Sequence, residues 1–492
     1  MKKRISIFVS LLILAVALAF SMRKTSLSKS HQVIKPSEIS EAGQPLNDLK
    51  KLENESHIEN SFEGTLEAKS TEVEFIKGTK TKFLTYNDMI PGPLIEVYEG
   101  TEIKIKFKNN LPAQDTTIHW HGLPVPPDQD GNPMNPVKPN TEVTYRFKLP
   151  PDSAGTYWYH PHPHEITAEQ VYKGLAGIFI IKSKHDIIDA GIRDKVIVIS
   201  DLRLDTNGQI DKNNENDLMN GREGDITLVN GQLKPRLAVN PGETIRLRFL
   251  NATNSRYFKL SIPNAELTLI GTDGGLISRK QSIKELLIAP GERYEVLVKF
   301  SVTKNNESDL VSSFYDRGWM GGEPPNQQPL KLMSFLNSND EPVPNNDVPE
   351  ILRKIETLVS GPIVRKIVLS EKMDMSGNKM TMAFLINGKA FDMNRIDFTS
   401  KAGQTETWEI DNQADMDHPF HIHGTQFQVL NKQMNGKLIK ADEFQFWKDT
   451  INIAKGEKVK ILVRQNEKGL RMFHCHILEH EQLGMMGIVK IE

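Results

Sequence analysis

The chain of 492 residues contains one cysteine, which excludes an intramolecular disulfide framework and any zinc or iron–sulfur site built on four thiolates. It has no imbalance of charge either. Its 61 basic residues against 63 acidic ones give a formal charge of −2, which disfavours a nucleic-acid partner held through bulk positive charge. Long apolar runs are scarce. The one that stands out, Ile5 to Phe20 after Met1-Lys2-Lys3-Arg4, falls short of the roughly 20 residues that span a bilayer and reads as an export signal. Ala15, Ala17 and Ala19 suit its cleavage, whereas Arg23 and Lys24 suit an uncleaved N-terminal membrane anchor. In either case residues 1–24 place the body of the chain outside the cytoplasm, in the periplasm or at the cell surface. Residues 25–60 are polar, carry few large apolar side chains, and read as a tether.

The chain as a whole has the composition of an ordinary globular protein, 38% hydrophobic and 25% charged, and room for about three domains at about 150 residues each. One strand unit recurs three times. It runs Gly100 to Asn109 with Ile103, Ile105 and Phe107 on one face, Gly242 to Asn251 with Ile245, Leu247 and Phe249, and Gly403 to Asn412 with Trp408 and Ile410. Period-two alternation makes these half-buried strands. A second repeat links only the outer units. Gly155-Thr156-Tyr157-Trp158-Tyr159-His160-Pro161-His162 answers Gly469-Leu470-Arg471-Met472-Phe473-His474-Cys475-His476, and Gly174 to Ile178 answers Gly484 to Ile488. Short strands between Gly and Pro turns predict an all-β chain of three Greek-key sandwiches or barrels over 61–185, 186–340 and 361–492, with 341–360 as the connector into the third.

Of the 14 histidines, 11 lie in four short clusters, at 119 and 121, 160 to 164, 418 to 423, and 474 to 480. About 0.4 His-X-His pairs are expected at random, and the chain has five. On a strand, residues two apart face one side, so each pair aims two imidazoles at one place. A zinc site needs only three or four ligands; four clusters at matching repeat positions call for several metals.

Cys475 narrows the metal. Between His474 and His476, strand alternation turns its sulfur to one face and the two imidazoles to the other, so one strand serves two sites. His480 and Met485 lie five and ten residues on, and His418 is available from the other cluster. A cysteine, two histidines and a weak axial methionine form the ligand set of a blue copper electron-transfer centre. Met486 is the alternative axial ligand, since only one of the two neighbours points inward on an extended chain.

With His119-Trp120-His121-Gly122, His160-Pro161-His162, His418-Pro419-Phe420-His421-Ile422-His423-Gly424 and His474-Cys475-His476 in this order, the chain resembles the three-domain multicopper oxidases, which include laccases and bacterial cuprous oxidases. The resemblance runs from about Ser61 to Glu492. It implies three cupredoxin-like domains and four coppers, with O2 reduced to water by four electrons. It assigns His418, Cys475, His480 and Met485 to the type 1 copper, and His119 and His421 to the type 2 copper. His121, His160 and His476 would hold one type 3 copper, and His162, His423 and His474 the other. His164 has no ligand counterpart. The middle domain, with Phe258, Lys259 and Leu260 where histidines would be, is expected to be a spacer that positions the outer two. Asp130 and Glu481 match the family's two acidic residues that supply protons.

The substrate is either Cu(I) or a phenol or aromatic amine. Thioethers suit Cu(I), which makes Met375, Met380 and Met382, with Met373 beside them, and Asp415 and Met416 just before His418, candidate ligands for a substrate metal. The family's cuprous oxidases carry a longer methionine insertion, and an acidic residue where this chain has Ala414. A monomer is expected. A non-enzymatic copper-sequestering or structural protein on the same scaffold is the alternative; such relatives lack copper ligands, whereas here all twelve positions are filled.

Overall fold

Each Gly-to-Asn unit folds as a left-handed turn leading into a strand. Gly100, Gly242 and Gly403 have φ of 79°, 76° and 76°, which glycine adopts without strain, and the strands are Glu102–Asn110, Thr244–Asn251 and Thr405–Asn412. Their apolar residues are buried and their closing asparagines do one job three times. Asn109 Nδ2 donates to the carbonyls of Gln114 and Val137, Asn251 Nδ2 to those of Arg256 and Ile288, and Asn412 Nδ2 to those of Met416 and Ile453. Each Oδ1 accepts the backbone N–H two residues on. The asparagine thus ties down the loop leading to the next strand, which in the outer domains carries the first histidines. Asn251→Ala strips four bonds from a buried corner, one of them from Thr253 Oγ1, and is expected to cost about 2–4 kcal/mol in chemical denaturation.

The computed structural model describes residues 42–304, 306–322, 324, 327–343, 348–374, 381–439 and 444–492. The residues read as an export signal, the start of the expected tether, Met375 and Met380 lie outside the described residues. Among the described residues the strands form six sheets, two to a domain, and the domains repeat one topology. In each, the Gly-to-Asn strand pairs parallel with the strand that opens the domain: Ser61–Ile76, Arg193–Leu202 and Val364–Asp374. The second sheets run in corresponding order. In the first domain this is Gly92–Tyr98, Gly177–Lys182, Gly155–His160, His119–His121; in the third it is Phe398–Ser400, Met486–Ile491, Gly469–Cys475, His418–Ile422, Thr450–Ile453. In the middle domain Phe258–Ser261 and Glu307–Ser313 take the places of the histidine strands. A separate apolar core fills each unit, so the chain is three cupredoxin-like sandwiches in series.

The tether is shorter than expected. From residue 42 the chain is strapped across the first two domains: Leu46 N–H donates to Arg236 O at 2.7 Å, Asn47 N–H to Gln232 Oε1 at 2.7 Å, and Leu52 N–H to Leu94 O at 2.8 Å. Leu46 packs on the second core, Leu52 on the first, and Leu49 on the apolar cluster between them. Three leucines at three-residue spacing in a polar stretch suffice to seat it, a signal that average composition hides. No helix among the described residues is long and apolar enough to cross a membrane.

Candidate metal centre

Two antiparallel strand pairs present the histidines. In the first domain His119 lies opposite His160, and in the third His421 lies opposite His474, so the two halves of the site repeat one register. Across the seam the His119 ring stacks on His423 with centroids 3.7 Å apart, and His121 stacks on His421 at 3.8 Å. The structure therefore brings the eight histidines of the His-X-His pairs at 119, 160, 421 and 474 together between the outer domains, all of them buried. His164 stays half-exposed beside Phe391, outside the cluster.

The nitrogens gather as His119 and His421 with His423 also in reach, as His121, His160 and His476, and as His162, His423 and His474, while His121 and His421 share Asp449. Nε2 of His119 lies 3.4 Å from Nε2 of His421, and Nε2 of His474 lies 3.3 Å and 3.0 Å from those of His162 and His423. Two imidazole nitrogens each ~2.0 Å from one metal lie ~3.3 Å apart at a tetrahedral angle, so these spacings fit a shared ion. The other ring nitrogens are tied back to backbone: Nδ1 of His119 to Asp130 O, of His160 to Pro161 O, of His421 to Asp449 O and of His474 to Cys475 O. Each Nδ1–H donates to its carbonyl, which leaves the Nε2 lone pair free. Burial keeps the imidazoles of His121, His160, His162, His423, His474 and His476 well below their usual pKa, hence neutral. Nε2 of His121, Nε2 of His160 and both nitrogens of His476 are buried with no hydrogen-bond partner. Neutral, orphaned lone pairs converging in one place fit copper.

On the opposite face of the same strand, Cys475 Sγ lies 3.3 Å from His418 Nδ1, which is 3.4 Å from His480 Nδ1. Ile477 N–H also points at the sulfur, at 3.3 Å. Burial pushes the Cys475 thiol up and lowers His418 to about 3. Cys475 N–H donates to Met485 O, and the buried Met485 side chain joins the core that holds Cys475, whereas Met486 turns to the other face with Met472 and Ile488. Of the two axial candidates only Met485 is on the sulfur side.

Asp130 Oδ2 lies 3.1 Å from His423 Nδ1, and its carbonyl 3.0 Å from His119 Nδ1. Gly131 makes this possible. Its φ is 68°, and a Cβ there would stand 1.7 Å from the carbonyl oxygen of Ile118. Glu481 lies 3.7 Å from a ring nitrogen of both His162 and His474, and burial pushes its carboxyl up to about 8.

Two expectations are corrected. The middle domain does more than position the outer two, since its Arg293 reaches within 3.4 Å of His121 Nδ1. Arg293 and its partner Asp449 were not legible as site residues; the only trace is Lys448-Asp449, two charges between Trp447 and the apolar strand Thr450–Ile453. Nor do Asp415 and Met416 make one metal site. Asp415 is exposed and paired with Lys455 at 2.9 Å, while Met416 is buried in the third core with its sulfur 3.5 Å from Arg317 Nη1. Neighbours on an extended chain face apart. Met382 is half-buried against the same core.

The chain matches the multicopper oxidase family over residues 67–186, 194–308 and 365–492. It is 37% identical to the multicopper oxidase mco of Staphylococcus aureus over 436 residues, 87% of this chain and 88% of that one. Among solved structures it is similar to a multicopper oxidase from Campylobacter jejuni described as a metallo-oxidase, at 45% identity and a TM-score of 0.87 over 94% of this chain and 98% of that one. A laccase from Pediococcus acidilactici matches at 34% identity and a TM-score of 0.81 over 92% and 95%.

Proposed function

The chain belongs to the multicopper oxidase family, and on that premise we propose that its reducing substrate is Cu(I), oxidised outside the Cys475 pocket, with the electrons delivered to O2 at the histidine cluster. Copper bound at these residues supplies the one-electron steps and the four-electron reduction of O2 to water. His418, Cys475, His480 and Met485 would hold the type 1 ion, and His119 and His421 the type 2 ion. His121, His160 and His476 would hold one type 3 ion, and His162, His423 and His474 the other. The remaining tasks fall to the chain itself. Cys475 is bonded through backbone to His474 and His476, a short covalent route between the two sites. Asp130 orients His423 and His119, and Asp130 and Glu481 are the buried carboxyls placed to pass protons to the cluster. Nothing favours a copper-sequestering or structural role, because every ligand position is filled. An extracytoplasmic location fits the N-terminal sequence.

The observation that carries the Cu(I) reading is the cover over His480. Its Nε2 faces the carbonyl of Met219 at 3.1 Å, at the end of the short helix Glu215–Asn220, and its ring stacks on Phe384 with centroids 3.7 Å apart. His418 Nε2 is buried as well. No imidazole edge of this pocket is open among the described residues, so a planar organic molecule has nothing to lie against. A small ion held outside by thioethers needs no such cleft, and Met320 packs against the core that holds Cys475. Oxygen consumption by the copper-loaded protein, measured in parallel with Cu(I) and with dimethoxyphenol, tests this. Cu(I) is expected to drive uptake at least about tenfold faster, a difference of about 1.4 kcal/mol in barrier. Phenol turnover equal to or above that with Cu(I) would make the protein a laccase.

A further inference from the structure

We propose that Arg293, from the domain that carries no metal ligand, is the positioning residue on which copper binding by the histidine cluster depends, acting through Asp449. The guanidinium is completely buried and its donors are spent in all three domains. Nε donates to Thr156 O of the first domain at 3.0 Å. Nη1 donates to Gly291 O at 3.1 Å and Nη2 to Asp273 O at 3.2 Å, both in the second. The same two nitrogens grip the Asp449 carboxylate of the third domain side by side, at 2.6 Å and 2.5 Å. This two-point geometry fixes the rotation of the carboxylate as well as its place.

That rotation matters to the cluster. Asp449 Oδ1 lies 3.5 Å from Nδ1 of His121 and 3.6 Å from Nδ1 of His421, and the Asp449 carbonyl lies 2.9 Å from the latter. One carboxylate therefore borders two imidazoles that belong to different copper sites. Groups behind a metal-bound histidine fix the orientation of its ring, and here the Asp449 carbonyl serves His421 while the Asp449 carboxylate and Arg293 Nη1 border His121 Nδ1. The neighbouring sequence makes room for the pair. Gly122, directly after His121, has φ of 83°, and a Cβ there would stand 2.2 Å from Asp449 Oδ2 and 2.6 Å from Arg293 Nη2. Asp273 completes the support by accepting the backbone N–H groups of Arg293, Asp449 and Thr450. Without Arg293, a buried carboxylate loses its counter-charge and turns, His121 loses both groups that face its Nδ1, and His421 keeps the Asp449 carbonyl behind its ring.

This dependence presupposes the ligand sets proposed for the four coppers and touches only the cluster, since the Cys475 pocket has no contact with Arg293 or Asp449 among the described residues. Arg293→Met and Arg293→Lys, reconstituted with copper beside the parent, separate the two sites. Copper per chain, the blue thiolate absorption and the electron paramagnetic resonance signal of the non-blue copper are read on each. Arg293→Met is expected to keep the blue absorption while its cluster binds copper about 10–100-fold more weakly, with the non-blue signal lost. Arg293→Lys, which keeps the charge but not the two-point grip, is expected to keep the blue absorption and show an altered non-blue signal. Parent-like copper content and signals in both variants would overturn the proposal. So would loss of the blue absorption in step with the cluster copper in both, because Arg293 would then hold the fold and not the ligands. A parent that binds no cluster copper at all would instead condemn the ligand reading.

Discussion

A Cys475→Ser chain is expected to be colourless when loaded with copper and to oxidise neither Cu(I) nor phenols above background, while melting within a few degrees of the parent. The intense colour of such a centre comes from the bond between Cu(II) and a thiolate, and a serine hydroxyl at this position is a harder, far less polarisable donor. The fold is indifferent to the change. The thiol sits in the third core, accepts one long bond from Ile477 N–H, and differs from a hydroxyl by little in volume. Visible absorption, an oxygen electrode and a thermal melt on the same preparation decide the matter. Substrate oxidation persisting at the parent rate would mean that electrons enter elsewhere.

Gly131→Ala is expected to be the costlier change for the fold. A side chain at φ 68° is strained before any contact is counted, and the added Cβ would sit 1.7 Å from the Ile118 carbonyl. Relief requires moving either the strand that starts at His119 or the loop that carries Asp130, and together these effects amount to about 2–5 kcal/mol. The same movement pulls Asp130 O away from His119 Nδ1, so the copper that His119 and His421 would hold is expected to be lost while the blue absorption of the proposed Cys475 site survives. Chemical denaturation and copper content check both halves. A melt and a copper count equal to the parent's would show that the Ile118 carbonyl yields freely.

The contrast between what sequence revealed and what it hid is one of range. The clustered histidines and Cys475 were legible because strand alternation turns a two-residue spacing into a shared face, and because the outer domains repeat it. Three Gly-to-Asn units exposed the three sandwiches for the same reason, although the asparagine's job of tying the adjoining loop emerges only from its bonds. Asp130 and Glu481 were found beside ligands, within reach of family likeness. Arg293, Asp449 and Asp273 were not, since their meaning lies in contacts among three domains far apart in the chain. The Met219 cover over His480 was hidden likewise. Asp415 and Met416 both stand close to His418 in sequence, but neighbours on an extended chain face apart, so one reaches solvent and the other the core. Residues 42–60 misled through averaging, since three leucines among polar neighbours decide their fate.

That strap also imposes an order on assembly. Asn47 and the Gln232 side chain that receives it are 185 residues apart in sequence, and Leu52 settles on a first domain whose own sheets must already be closed. The earliest part of the described chain is therefore among the last to come to rest, seated only when the second domain presents Gln232 and Arg236. In a chain emerging amino end first, residues 42–52 find their last partners only after the second domain has formed behind them, so the closing of the strap joins two finished domains.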